Sequence, residues 1–284
     1  MMPDASSRLF HGAEALRHTA AGLLIDCGRV TEVNLEILEE YIQQEWAPDF
    51  HYAHYESIPW TPFRGASDAA CVALVTTGGV HLRQTPPFAG IDDASYREIP
   101  GTAQASDLTV SHPFFDSTEL EQDIDAMFPL TRLRELQSAG VIQRVAPQHF
   151  SFMGVVPHWG RLEGFAKEVA EKLVTAAVDA VILTPGSPIC NHSLAVIQRV
   201  LEGAGLATIA LTIEPEMMKR VRVPRAMVVD FPPGCPVGEP TDHEKQRKVL
   251  QEALEYLTTM TQPGTVWKSP FKWTRSCSAP VCKL

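Results

Sequence analysis

The sequence has little positive charge and no sign of a membrane-targeting segment. Lysine and arginine together number 24 against 34 aspartates and glutamates, which gives a formal net charge of −10 at pH 7. Nucleic-acid-binding proteins need a basic face for the phosphates, so this composition argues against that class. Polar residues interrupt the first 30 residues throughout, which argues against a signal peptide or a transmembrane span. We therefore expect a cytoplasmic protein that contacts neither nucleic acid nor membrane.

Cysteine is also sparse, with six residues in a chain of 284. Disulfide-stabilised scaffolds are short and rich in cysteine, so we expect free, reduced thiols. Cys27 and Cys71 lie in or beside apolar runs and are expected in the core. The pair Cys277 and Cys282 lacks nearby matching ligands and is a weak zinc signal, so we predict neither a metal nor another cofactor. Two candidates for chemistry are left, in loops that follow apolar runs: Cys190 and Cys235.

Apolar runs alternate with amphipathic helices over the second half of the chain. Helices are predicted over 159–178, 193–202 and 241–260, the last opened by a capping box of Thr241 and Glu244. Strands are predicted in DAVILTPG, LATIALT and AMVVDF between them. This order predicts an α/β fold with mainly parallel, Rossmann-like sheets flanked by helices. We expect two lobes with the site between them, residues 1–155 and 156–261, followed by an irregular tail, 262–284.

The first half of the chain is less regular. An amphipathic helix is predicted over Glu32–Trp46, and a buried strand over CVALVTT (71–77), which ends at two glycines. Residues 84–102 are rich in proline, glycine and aspartate and are predicted to be loop. A further strand is predicted in LTVSH (108–112). Residues 116–137 are expected to form two helical pieces, broken before Pro129.

Ligands of parallel α/β sheets bind beyond the carboxyl ends of the strands, and the first such end carries TTGGVH. Its glycines let the backbone approach a ligand, and its threonines offer hydroxyl groups. A simple turn explains the same pattern, and both interpretations stand. The substrate-binding candidates in this segment are Thr76, Thr77, Gly78, Gly79 and His81.

The second strand end is the loop TPGSPICNH (184–192). Cys190 directly precedes a predicted helix, where free backbone N–H groups and the helix dipole lower a thiol pKa. His192 is a candidate proton partner for that thiol. The alternative is that Cys190 is a small buried hydrophobic residue and that Asn191 or Ser193 caps the helix.

An ordered series of segments between Trp60 and Leu257 resembles the selenoprotein B family of glycine, sarcosine, betaine and D-proline reductases. The resembling segments are VALVTTGGVHL (72–82), PPF (86–88), SYREIP (95–100), SHPFFD (111–116), FPLTRLRELQSAGVI (128–142), HFSFMG (149–154), VDAVILTPGSPICNHSLAVIQRVLEGAGLATIALT (178–212) and FPPGCPVGEP (231–240). In that family the strand-end loop carries selenocysteine or cysteine, followed three positions later by cysteine.

The resemblance implies a reductase that cleaves a carbon–heteroatom bond, in which the first of these two residues attacks the substrate. The aligned positions here are Ser187 and Cys190. A serine hydroxyl is much less nucleophilic than a thiolate and cannot enter thiol exchange. Three interpretations of Ser187 stand: an engineered replacement, a natural enzyme that uses Cys190 alone, and a divergent homologue that binds a related ligand without redox turnover.

Three further polar residues lie in the resembling segments: His112, Asp116 and His149. We predict that they orient the carboxylate or amine of a small amino-acid-like substrate, although structural histidines would show the same pattern. The implied electron donor is a redox partner protein or a low-molecular-weight thiol, and we expect a homo-oligomer.

Two other functions remain open. A cysteine-based lyase or racemase would require Cys71 or Cys235 to face Cys190. A non-catalytic subunit would dock a partner protein through the tryptophan-rich ends of the chain.

Overall fold

The computed structural model describes residues 34–115 and 117–275. An eight-stranded sheet forms the centre, in the order β10-β9-β8-β7-β1-β6-β3, with the short β5 also beside β1. All its pairings are parallel except that of β3 with β6, and β2 and β4 form a separate antiparallel pair. The strands are β1 Cys71–Thr76, β2 Val80–Leu82, β3 Tyr96–Pro100, β4 Leu108–Val110, β5 Arg144–Val145, β6 Gln148–Phe152, β7 Ala180–Thr184, β8 Ala207–Thr212, β9 Arg225–Asp230 and β10 Thr265–Lys272.

Helices cover both faces of this sheet, because its central strands are apolar on both sides. Ala73 and Val75 of β1 belong to one core cluster, and Val72 and Leu74 belong to the other. The first cluster is covered by α1, α4, α5 and α6, and the second by α3 and α7. The helices are α1 Leu35–Glu45, α2 Thr118–Gln122, α3 Leu130–Ser138, α4 Gly160–Thr175, α5 Cys190–Gly203, α6 Pro215–Val221 and α7 His243–Thr259. The predicted α/β class is confirmed.

The chain changes direction across the sheet at β1. From β1 it passes to β6 on one side and then returns to β7 on the other, after which β8, β9 and β10 follow outward in order. The loops after β1 and β7 therefore diverge at the point where the strand order reverses. This is the position at which open α/β sheets bind their ligands.

Several predicted elements are confirmed, and three expectations are corrected. Residues 84–102, expected to be loop, contain β3, and the tail expected to be irregular contains β10. Both are edge strands, and edge strands carry polar residues and proline that hide the strand pattern. The predicted capping box is absent from α7: Asp242 is the N-cap and accepts from the Lys245 N–H, while Thr241 has a φ of 69°. Strands from both expected lobes, residues 1–155 and 156–261, belong to one sheet, because β1 and β7 pair along five residues. The division into two lobes stays a prediction.

No helix in the described ranges is both long enough and apolar enough to cross a bilayer.

A buried ion pair joins α5 to β9. The carboxylate of Glu202 meets the guanidinium of Arg225, and both side chains are 0% exposed. The backbone N–H groups of Thr61 and Thr208 also donate to this carboxylate, at 2.8 and 3.0 Å. Removing one partner of such a pair leaves an uncompensated charge in the core.

We expect Glu202→Ala to lower the free energy of unfolding by about 3–5 kcal/mol, measured by urea denaturation. Glu244→Ala is the matched control, because Glu244 pairs with Lys248 on the exposed face of α7. That control is expected to leave the free energy nearly unchanged. Equal effects of the two variants would contradict the prediction.

Candidate active site

The loops after β1 and β7 pack directly against each other. The Thr77 N–H and the Thr76 hydroxyl both donate to the Thr184 carbonyl, each at 3.0 Å. A Cβ placed on Gly186 would lie 2.9 Å from the Cα of Gly78, so the two loops touch through glycine backbone. The two strand ends that the sequence marked for chemistry therefore form one site.

Cys190 lies at the centre of this site, as the first residue of α5. Its side chain is 0% exposed. The Ser187 hydroxyl lies 3.0 Å from the sulfur, and the Nε2 atom of His112 lies 3.0 Å from it on another segment. We call these three residues the sulfur cluster. Two of them come from the loop after β7, and the third follows β4.

Burial decides the protonation state of Cys190. It raises the pKa of the thiol to about 11, although hydrogen bonds at Ser187 and Gly186 act in the opposite direction. The expectation that the helix N-terminus lowers this pKa is therefore wrong for the closed site, because desolvation of a thiolate outweighs the helix terminus. At neutral pH the enclosed sulfur is a thiol.

His112 presents a donor to the sulfur. Its Nδ1 atom accepts the Phe114 N–H at 3.2 Å, so the neutral ring carries its proton on Nε2, the atom that faces Cys190. Burial lowers the pKa of this partly buried histidine to about 3, and the ring stacks on Phe115 with centroids 4.4 Å apart. In this arrangement His112 stabilises negative charge on sulfur and is not a base for its proton.

Gly154, just beyond β6, closes the site from a third strand end. Its φ is +89°, and a Cβ there would lie 2.8 Å from the Cys190 sulfur and 2.2 Å from the Thr77 carbonyl oxygen. Only glycine fits this position. The sequence analysis did not single it out, although it ends the resembling segment HFSFMG.

The remaining residues of the TTGG turn brace the site. The Thr77 hydroxyl donates to the Cys190 carbonyl at 3.2 Å. Gly79 has a φ of +70°, donates to the Phe152 carbonyl at 2.9 Å and accepts the Ser111 N–H at 2.9 Å, which fixes the backbone just before His112. These contacts hold the loop in place, and its role in binding substrate stays a prediction.

Three other histidines that were predicted as site residues make hydrogen bonds to groups other than the Cys190 sulfur. His192 accepts the Ala53 N–H at 2.9 Å through Nε2, and its ring packs with Phe50, Tyr52 and Trp159. His149 accepts the Leu74 N–H at 2.8 Å within the sheet. The His81 ring lies 2.7 Å from the hydroxyl of Ser111, the neighbour of His112. Asp116 lies outside the described residues.

Two further residues lie in the site. Asn191 was considered only as a cap of the helix, and Phe115 was not predicted as a site residue. Asn191 does not cap α5: its amide nitrogen donates to the carbonyls of Ser187 and Pro188, and its amide oxygen accepts from the Thr212 hydroxyl at 2.8 Å. It therefore ties the loop after β7 to the end of β8. Phe115 contributes the ring that stacks on His112.

The cysteines of the described residues are free, and both Cys71 and Cys235 are buried. Burial raises the pKa of each thiol. The loop of Cys235 reaches the site, since the Gly234 N–H donates to the Gly186 carbonyl at 2.8 Å. Within 34–115 and 117–275, no group of three or more histidine, cysteine or acidic side chains is placed to hold a metal ion. Cys27, Cys277 and Cys282 lie outside the described residues.

Comparison with known proteins places the chain in a family. A family model described as glycine/sarcosine/betaine reductase selenoprotein B matches residues 28–186, more than half of the chain, and ends directly before Ser187. The chain is 34% identical to the D-proline reductase subunit gamma of Acetoanaerobium sticklandii over 75% of this chain and 89% of that protein. No solved structure is similar enough to count as a match.

More distant relatives are longer than this chain. The glycine reductase complex component B subunit gamma is 28% identical in Carboxydothermus hydrogenoformans and 27% identical in Symbiobacterium thermophilum. The alignments cover 75% and 82% of this chain but only 51% and 57% of those proteins. The chain therefore spans about half the length of these relatives. The family model covers more than half of the chain, and the D-proline reductase subunit gamma is aligned over 89% of its own length. The chain therefore belongs to the glycine/sarcosine/betaine reductase selenoprotein B family.

Proposed function

We propose that this chain is the thiol-bearing subunit of a reductase complex that cleaves a carbon–nitrogen bond in a small amino acid, with D-proline as the first candidate. The observation that carries the proposal is the sulfur cluster, in which the His112 ring and the Ser187 hydroxyl converge on Cys190 at the switch point of the sheet. The relative with the most complete alignment is named as a D-proline reductase subunit, which supports D-proline as the first substrate to test.

The proposed reaction has two steps. The Cys190 thiolate attacks the substrate carbon, a carbon–sulfur bond forms, and the carbon–nitrogen bond breaks as the amine takes a proton. A second thiol then attacks the Cys190 sulfur, and the carbon leaves with the bonding electron pair and takes a proton. The two thiols become a disulfide and the substrate gains two electrons. A low-molecular-weight thiol or a dithiol protein partner supplies the second thiol and reduces the disulfide afterwards.

Each residue of the cluster has a role in these steps. The Nε2–H of His112 and the hydroxyl of Ser187 donate to the sulfur and stabilise it while it carries negative charge. Ser187 occupies the position of the family's usual nucleophile, and in this proposal it serves as a donor. The TTGG turn shapes the wall of the site, while His81 acts through Ser111 on the segment that carries His112.

The similarity to these relatives also suggests protein partners. The relatives are named as subunits or complex components, so we propose that this chain works within a multi-protein reductase. A homo-oligomeric arrangement of the chain itself stays a prediction.

Trapping of the first intermediate tests this function. We expect isotope-labelled D-proline, given to the complex without thiol reductant, to add its full mass to the peptide that contains Cys190, because a ring-opened amine stays tethered. Peptide mass mapping measures the adduct, and L-proline is the control. An adduct on Ser187, or none on this chain while the complex turns over, would refute the assignment.

A further inference from the structure

The Cys190 sulfur is buried, and residues 111–115, which follow β4, form part of its cover. The thiol is 0% exposed, and His112 from this segment contacts it directly. Phe115 lies behind His112, is 5% exposed, and stacks on the histidine ring with an interplanar angle of 24°. Any reactant has to displace part of this cover before it meets the sulfur.

Phe115 belongs to the second core cluster, and its neighbours also include glycine backbone from two strand ends. A Cβ on Gly186, in the loop after β7, would lie 3.1 Å from the Phe115 ring. A Cβ on Gly234, in the loop after β9, would lie 3.2 Å from it. The ring thus occupies a compartment beside the sulfur cluster that is bounded in part by glycine main chain and by the flat face of an imidazole. This compartment holds one phenyl ring, and a small ring or a short carbon chain is of similar size.

We propose that Phe115 is the gate of the reactive thiol, and that the compartment its ring fills is the one the substrate's carbon skeleton enters. The packing around Phe115 by itself supports its control of access to the Cys190 thiol. The identity of the substrate, a small amino acid with a five-membered ring or a carbon chain of similar size, rests on the proposed function.

The neighbouring phenylalanine provides the contrast. Phe114 is also buried, at 7% exposed, but its ring packs on Trp46 with centroids 5.3 Å apart and belongs to the opposite core cluster. It meets the His112 ring only edge-on, with centroids 6.1 Å apart, whereas Phe115 stacks on that ring at 4.4 Å. The N–H that Phe114 gives to His112 comes from the main chain and survives a change of side chain. Phe114→Ala therefore loosens packing beside the segment and leaves the gate in place.

A closed gate also explains why the Cys190 sulfur is protonated. Enclosure keeps Cys190 protonated and shields it from oxidants, while movement of Phe115 lets water reach it. In water a cysteine thiol titrates near about 8.5, so opening raises the thiolate fraction from almost none to the few per cent of a free cysteine at neutral pH. Opening therefore makes the sulfur both accessible and more reactive.

Alkylation of Cys190 in the native full-length protein tests the gate. We expect Phe115→Ala to raise the rate of labelling by iodoacetamide at Cys190 by about tenfold or more, and Phe114→Ala to raise it by less than about threefold. Peptide mass mapping follows the site, and thermal unfolding of each variant measures loss of stability. Phe115→Leu, which retains more packing, covers the case in which the alanine variant does not fold. Rates that follow stability alone in both variants would overturn the gate.

A pair of reagents tests the compartment. Phe115→Ala removes a phenyl ring, so we expect N-phenylmaleimide to gain more than N-ethylmaleimide in rate at Cys190, and Phe114→Ala to leave the ratio of the two rates unchanged. An unchanged ratio in Phe115→Ala would overturn the compartment. These measurements need no turnover, so they separate failure of the gate from failure of the D-proline assignment.

Discussion

Alanine in place of Cys190 is expected to lower the D-proline turnover of the complex on the order of 10³-fold or more, the scale seen when a nucleophile is removed. The sulfur forms and breaks the bond to carbon in the proposed reaction, and neither His112 nor Ser187 can replace it in thiol exchange. The change removes a single buried atom, so the fold is expected to persist. Turnover is measured as formation of the open-chain amino acid with a dithiol as reductant, and circular dichroism checks the fold.

Matched variants make this result specific. Cys235→Ala removes another buried thiol, in the loop whose Gly234 touches Gly186, and is expected to retain turnover. Loss of turnover in Cys235→Ala would favour the two-thiol isomerase or lyase hypothesis. Ser187→Ala is expected to reduce turnover less than Cys190→Ala, because it removes one donor to the sulfur. The reverse order would make Ser187 the nucleophile and contradict the proposed mechanism.

Acidification is expected to destabilise the protein steeply. Burial lowers the pKa of both His149 and His192 to about 3, and both side chains are at most 2% exposed. In the unfolded chain a histidine titrates near about 6.5. Their stabilising contribution is therefore fully present above that pH and is lost as the pH falls toward 3. In between, these two histidines bind two more protons in the unfolded chain than in the folded one, and they alone lower the free energy of unfolding by about 3 kcal/mol per pH unit. His112, whose pKa burial also lowers to about 3, adds to this slope.

Urea denaturation at a series of pH values between 7 and 4 measures this slope. His149→Asn and His192→Gln each retain an acceptor for the backbone N–H that the histidine binds. Each is expected to remove about half of the slope that these two histidines contribute. His51→Gln is the control, because that side chain is 77% exposed. A slope that both buried variants leave unchanged would contradict the prediction.

Strands buried on both faces were readable in the sequence, whereas edge strands were not. CVALVT and AVILT are continuous apolar runs because the central strands β1 and β7 are covered by helices on both sides. The edge strands β3 and β10 lie at the ends of the sheet and carry charged residues and proline, so their composition is that of loops. The sequence also could not reveal that the two expected lobes share one sheet, because pairing between distant strands leaves no local pattern.

For the candidate site, too, the sequence determined some features and the tertiary structure decided the others. The sequence by itself determined where the candidate reactive loop lies, because a strand that ends in TPGSPIC and leads into a helix places Cys190 at the carboxyl edge of the sheet. Only the tertiary structure decided which histidine meets the sulfur. His192, two residues away along the helix, packs against Ala53 and aromatic rings, while His112, 78 residues earlier, provides the donor. Burial also reversed the expected direction of the thiol pKa shift, since the cost of desolvating a charge depends on everything packed around it.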